Sequence, residues 1–174
     1  RPPPTSTLFP STTLFRSGLV PPGAFIAVAE ESDLIVDLGL WVLTQVCGHL
    51  GRLRASVRHL PIAVNVSARQ FHKNDFVAVV LGALDSAGAH PGDLVLEITE
   101  GVVIEQVDSV VLKMTQLTQR GVRFSIDDFG TGYSSLAYLK LLPIHELKID
   151  KSFVQDAPHN PNDAALVEAI LSVA

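Results

Sequence analysis

The chain has 174 residues, 47% of them hydrophobic and 18% charged, which is the size of one domain with material for a core and excludes a disordered chain. A formal net charge of −5 excludes the electrostatic footprint of a duplex nucleic-acid binder, although a small dinucleotide whose phosphates are offset by metal ions stays admissible. Cys47 is the single cysteine, so there is no disulfide framework and a reducing, cytoplasmic setting is the expectation. No uninterrupted apolar run approaches the roughly 18 residues that span a bilayer, since residues 36–53 are broken by Asp37, Gln45 and His49.

Residues 1–17 differ from everything after them. They hold Pro2-Pro3-Pro4 and a near-repeat, Ser6-Thr7-Leu8-Phe9-Pro10 followed by Thr12-Thr13-Leu14-Phe15-Arg16. The apolar centre of a signal peptide is missing, and the segment reads as non-native, derived from adapter DNA. From Gly18 onward helix and strand alternate. Residues 22–31 begin on a proline suited to a first helical turn, and residues 36–54 carry helical periodicity. Residues 61–66 predict a strand, and Asn74 is placed to cap a helix reaching about Ala87. Residues 93–99 predict a strand, and residues 108–119 a helix stopped by Gly121. Residues 122–128 predict a strand, 134–141 a short helix and 146–150 a strand, before a last helix begins at Asn162. Repeated strand–helix units imply parallel strands joined by right-handed crossovers.

Asn65, Glu97, Asp127 and Lys148 all stand at or near C-terminal strand ends, about thirty, thirty and twenty residues apart, one strand-to-strand unit each. Alternation places Arg123, Ser125 and Asp127 on one strand face and Phe124 and Ile126 on the other; Glu146, Lys148 and Asp150 likewise oppose Leu147 and Ile149. A barrel covered by helices needs apolar outer faces, so the polar parity turns inward, toward the mouth where such barrels place active sites. Asp127 and Asp128 repel one another, which a cation relieves. Hard cations take oxygen ligands, and a lysine beside them can hold an attacking water or developing charge, a combination suited to cutting a phosphodiester. Each residue also has a plain structural reading: a capping pair for Asp127 and Asp128, a surface acid for Glu97, a turn residue for Asn65, a snorkelling lysine for Lys148. Their convergence on one end of the sheet favours the metal reading. His59, His72 and His90 have no metal-ligand spacing and read as surface groups.

The run Asp127-Asp128-Phe129-Gly130-Thr131-Gly132-Tyr133-Ser134-Ser135 resembles the signature of the EAL domain, the bacterial cyclic di-GMP phosphodiesterase module. Further matches are Ala63-Val64-Asn65-Val66-Ser67-Ala68-Arg69-Gln70, Leu96-Glu97-Ile98-Thr99-Glu100 and Leu147-Lys148-Ile149-Asp150. The resemblance covers residues 18–174 and implies an α/β fold, a TIM-like (β/α)8 barrel with about four strands and their helices present. It implies hydrolysis of cyclic di-GMP to linear pGpG with two Mg²⁺ or Mn²⁺ ions. The implied metal ligands are Asn65, Glu97, Asp127 and Asp128, with Lys148 acting on the hydrolytic water. Glu100, facing away from Glu97 by strand parity, takes the family role of steadying the Gly-rich loop. A homodimer through that loop region is also implied. Arg69 and Gln70 either reach a phosphate or serve the helix start, and the residues that grip the bases are not resolved. The family's Glu-Ala-Leu motif would fall near Thr7 and is absent, as are its later glutamate-bearing strand and Gln-Gly-Tyr region. The 174 residues alone are therefore expected to be inactive and poorly soluble. Two other readings remain: a non-catalytic cyclic di-GMP receptor or scaffold of the same fold, and a metal-dependent barrel hydrolase of another class.

Overall fold

The structure is a computed structural model and describes residues 20–54, 59–130 and 139–172. It opens on a 3₁₀ turn, Pro22–Ala24, followed by helix α1, Ile26–Glu30. The sequence predicts one helix here, but Phe25 at φ −132° and ψ −20° leaves the helical region and divides it. Helix α2, Leu34–Arg54, buries Ile35, Leu43, Val46, Cys47 and Leu50, the three-and-four spacing of one helical face. Burial pushes the Cys47 thiol up to about 11, so it stays protonated and unreactive.

Strand β1, Ile62–Asn65, leads into the short helix α3, Ala68–Phe71, whose cap Ser67 accepts a hydrogen bond from the Gln70 amide at 3.2 Å. Helix α4, Phe76–Ala87, ends on Gly88 at φ 61°, a left-handed stop that glycine adopts without strain. The cap predicted at Asn74 is not formed. The chain enters α4 through Asp75, which makes no side-chain cap bond, because a tight turn bonding the Phe76 amide to the Lys73 carbonyl already occupies this corner. A 3₁₀ turn, Pro91–Asp93, precedes strand β2, Leu94–Thr99. Helices α5, Glu100–Glu105, and α6, Val107–Thr118, are parted at Gln106, where φ is −153°. Strand β3 is Arg123–Phe129 and strand β4 is Glu146–Ile149. The short helix predicted over residues 134–141 falls largely outside the described residues. β4 stops one residue sooner than predicted because Asp150 turns to cap an unforeseen helix, α7, Lys151–Asp156. The last helix, α8, is Pro161–Leu171; Asn160 is its cap, accepting from the Asn162 amide at 3.0 Å, so the predicted start at Asn162 is already inside it.

The four strands form one parallel sheet in the order β1-β2-β3-β4. Its registers join Ile62 to Leu94, Val64 to Leu96, Leu96 to Phe124 and Ile98 to Ile126. These residues make one apolar face, which packs against Val80 and Leu84 of α4 and Met114 and Leu117 of α6, all buried. Phe71 and Phe76 meet there with ring centroids 4.9 Å apart. α2 crosses α4 at Gly51, where a Cβ would come within 2.1 Å of the Ala87 carbonyl oxygen, so this crossing demands glycine. α2 is long enough and, at a mean hydropathy of 1.4, apolar enough to cross a membrane, against the sequence expectation of no such run. Its apolar residues meet that test because one face belongs to the core, where Leu43, Val46 and Leu50 are at most 1% exposed. Parallel strands alternating with helices on one face are the architecture of a TIM-like barrel, of which the described strands form an arc.

Candidate active site

The face of the sheet turned away from the helices carries the polar residues, as alternation requires. The register sets Asn65 beside Glu97, Glu97 beside Ser125, and Ser125 beside Glu146, one row across all four strands. The next row toward the C-terminal ends pairs Thr99 with Asp127. Four of the residues singled out in the sequence, Asn65, Glu97, Asp127 and Lys148, thus meet on one face at one end of the sheet. The Ser125 hydroxyl is buried in this row and has no hydrogen-bond partner among the described residues.

A bulge brings in Asp128. Between β3 and β4 the register runs Ile126 to Leu147 and then Phe129 to Ile149, so Asp127 and Asp128 together oppose Lys148 alone. Asp128 takes a left-handed φ of 52°, which few non-glycine residues adopt and which costs backbone strain. In a regular strand the two carboxylates would point to opposite faces. The extra residue breaks the alternation and re-aims a side chain, as bulges beside functional sites do. The Asp128 amide donates to Asp127 Oδ1 at 3.2 Å, and Asp128 and Asp150 share a side-chain hydrogen bond.

The electrostatics are those of a crowded acidic site. Burial, then the neighbouring charges of Asp127 and Asp150, hold the Asp128 carboxyl above the usual carboxylate value. Asp150 moves the other way, held below it by hydrogen bonds from the Ser152 hydroxyl and amide. Lys148 Nζ donates to Glu97 Oε1, and this bond, assisted by the nearby carboxylate charges, raises the Lys148 ammonium above its ordinary value. Glu97 is 8% exposed, so Lys148 is the counter-charge of a buried carboxylate.

Glu100 does not continue the strand, as parity assumed; it is the first residue of α5, and its buried Oε2 accepts the Gly130 amide at 2.9 Å. This contact ties the end of β3, where the Gly-rich segment begins, to the end of β2. The rest of that segment, residues 131–138, lies outside the described residues. Arg69 and Gln70 separate in role. Gln70 is buried against α2, where its Oε1 sits 2.2 Å from the place a Gly39 Cβ would take, so it packs. Arg69 lies 3.7 Å from Asp33 and lines an open cleft with Asn65, Ser67, His72, Glu97 and Thr99. Sequence reasoning passed over Asp150 as a partner of Asp128 and read His72, which lines this cleft, as a surface group. It also read His59 and His90 as surface groups without metal-ligand spacing; with Asp93 they offer ligand atoms all within 4.8 Å of one another, at the opposite end of the sheet.

Asn65, Glu97, Asp127 and Asp128 present oxygen donors at one end of the sheet, three of them carboxylates. That donor set fits hard divalent cations. The sequence profile of the EAL domain matches residues 13–174. The chain belongs to the EAL domain family. It is 45% identical over 160 residues to the bifunctional diguanylate cyclase/cyclic di-GMP phosphodiesterase MucR of Pseudomonas aeruginosa, covering 91% of this chain and 23% of MucR. It is 41% identical over 155 residues to the signaling protein YkoW of Bacillus subtilis, covering 89% of this chain and 19% of YkoW. The solved structure of the MucR phosphodiesterase in complex with c-di-GMP superposes with a TM-score of 0.83 at 43% identity, over 91% of this chain and 64% of that one. The chain therefore spans about a fifth of the length of these curated relatives.

Proposed function

We propose that the protein carrying this EAL domain hydrolyses cyclic di-GMP to linear pGpG at the site formed by Asn65, Glu97, Asp127, Asp128 and Lys148. The observation that carries the reading is the β3–β4 bulge, which sets two carboxylates against the lysine that neutralises Glu97. The likeness to MucR, solved with c-di-GMP, supports the substrate. Two Mg²⁺ or Mn²⁺ ions held by Asn65, Glu97, Asp127 and Asp128 would supply charge neutralisation at the phosphate and a polarised water.

This chain's own residues do the rest. Without metal Glu97 pairs with Lys148, which places the ammonium beside the row where the phosphate would be cut. Lys148 donates a hydrogen bond that orients the water and offsets developing charge. Attack of the water oxygen on phosphorus breaks one phosphorus–oxygen ester bond, and the proton the water gives up ends on the leaving ribose oxygen, which becomes a hydroxyl. Glu100 holds Gly130, which fixes the backbone just beyond Asp127 and Asp128. A homodimer through the segment around residues 129–135 and a cytoplasmic setting belong to the same reading, the first on family resemblance and the second on the single buried cysteine.

The test is Glu97→Gln and Asp127→Asn in the intact protein, assayed for Mg²⁺-dependent release of pGpG. Each change keeps the shape and removes a charge, and the expected loss is at least about 10²-fold in turnover with an unchanged circular dichroism spectrum. Turnover near that of the unaltered protein at saturating metal would return both residues to structural roles. Tight cyclic di-GMP binding without turnover in the unaltered protein would make it a receptor.

A further inference from the structure

We infer that His59, His90 and Asp93 form a second cation site, selective for a borderline transition metal such as Zn²⁺ and separate from the oxygen-lined cluster. Asp93 is 7% exposed, yet its carboxylate has as side-chain partner the ring of His59, whose Nδ1 lies 3.2 Å from Asp93 Oδ2 and whose side chain is 70% exposed. Burying a carboxylate is costly, and a divalent cation beside it relieves that cost. The His90 ring completes the set, meeting the His59 ring edge-on at a centroid distance of 5.6 Å.

The fold places these groups together for reasons apart from the cleft. β1 and β2 run parallel with Ile62 beside Leu94, so the residues just before each strand are neighbours at the end opposite Asn65 and Glu97. His59 precedes β1, while His90 caps the 3₁₀ turn whose last residue is Asp93. Gly92 lets the His90 ring lie over the backbone, since a Cβ there would meet Nδ1 and Cε1 at 3.0 Å. The Gly92 amide donates to His90 Nδ1 at 3.1 Å, so without metal that nitrogen offers its lone pair to the turn. The three ligand atoms lie within 4.8 Å of one another, whereas bonds of ~2.0–2.1 Å in a tetrahedron need donors about 3.3 Å apart. Rotation of the two exposed rings closes that gap. Two imidazoles and one carboxylate leave a fourth position for water and favour zinc over magnesium, which prefers oxygen. The bound ion takes the His90 lone pair from Gly92 and replaces the His59 contact to Asp93.

The experiment is equilibrium dialysis of the intact protein against Zn²⁺ with millimolar Mg²⁺ present, paired with Co²⁺ absorption and the Gly92 amide resonance. The expected result is one Zn²⁺ bound per chain and a tetrahedral Co²⁺ spectrum. Both are lost in His59→Ala and His90→Ala and kept in Asp127→Asn, and the Gly92 amide shifts on loading. His59→Gln, on a largely exposed side chain, guards against loss of fold and is also expected to lower affinity at least tenfold. Undiminished Zn²⁺ binding in the His59 and His90 variants, or none at micromolar Zn²⁺ in the unaltered protein, overturns the site. Neither outcome depends on whether cyclic di-GMP is cut.

Discussion

Lys148 and Glu97 illustrate how one ion pair can be both structural and chemical. The lysine compensates a buried carboxylate; on the proposed reading a cation at Glu97 would take over that task and leave the ammonium available to water. Lys148→Ala is accordingly expected to lower kcat by about 10²-fold while changing cation affinity far less, a split read from metal titrations of initial rate. A loss confined to metal affinity would move Lys148 from the water to the ions. Asp128 supplies a pH signature. Its raised carboxyl holds a proton more tightly folded than unfolded, so without metal its contribution to stability is full below about 3.8 and is lost as pH rises through the folded value. A cation must displace that proton. The rise in Tm caused by Mg²⁺ should therefore grow as pH climbs through the acid range above 3.8, and grow less in Asp128→Asn, as followed by thermal melts. Equal pH profiles in the two proteins would remove Asp128 from the ligand set. The parity of Asn65, Glu97, Asp127 and Lys148 was legible from alternation because a period of two needs no tertiary knowledge. The position of Asp128 was not, since a bulge is set by the pairing of β3 with β4 and leaves no local mark beyond an Asp pair.

Helix ends and strand ends show the same division. The periodic faces of α2, α4 and α6 are written in the spacing of their apolar residues, so these elements were predicted to within a few residues. The start of α4 was misplaced because Asn74 lies inside a tight turn, Lys73 to Phe76, that competes with its role as a cap. Helix α7 was missed because Asp150, read as the last inward residue of a strand, instead accepts the Ser152 amide at 2.7 Å as a cap. Glu100 was read as facing away from Glu97, and the chain satisfies that by ending β2 at Thr99 and beginning α5. Its bond to Gly130 joins two neighbouring βα units. Glu100→Gln can keep the geometry but loses the charge that strengthens acceptance from an amide. Exchange at the Gly130 amide should rise several-fold, with a smaller fall in turnover, by hydrogen-exchange measurements on the intact protein. Unchanged exchange beside unchanged activity would leave Glu100 a buried acid with a packing role.

The sheet as a whole carries a consequence for any attempt to study these residues alone. Among the described residues β1 and β4 are the outer strands, and each has one row of backbone amides and carbonyls turned away from its partner. Exposed rows of this kind pair with other chains. On the barrel-facing side β1 is open, with Ala63 and Asn65 exposed in alternation with the buried Ile62 and Val64, while Glu97 and Ser125 of the neighbouring strands are buried. A (β/α)8 barrel of about 250 residues closes that face with further strands, and the interior side chains fill it. The helix-facing core, by contrast, is complete enough to hold local order, since Phe71, Phe76, Phe124, Met114 and Leu117 are at most 2% exposed. A polypeptide of residues 18–174 should therefore retain helical and strand signals while self-associating and failing to turn over cyclic di-GMP. Light scattering on size-exclusion fractions, urea unfolding and a hydrolysis assay measure the three parts. A monomer that unfolds in one cooperative transition would mean that the helix-facing core suffices and that edge pairing is not the controlling term.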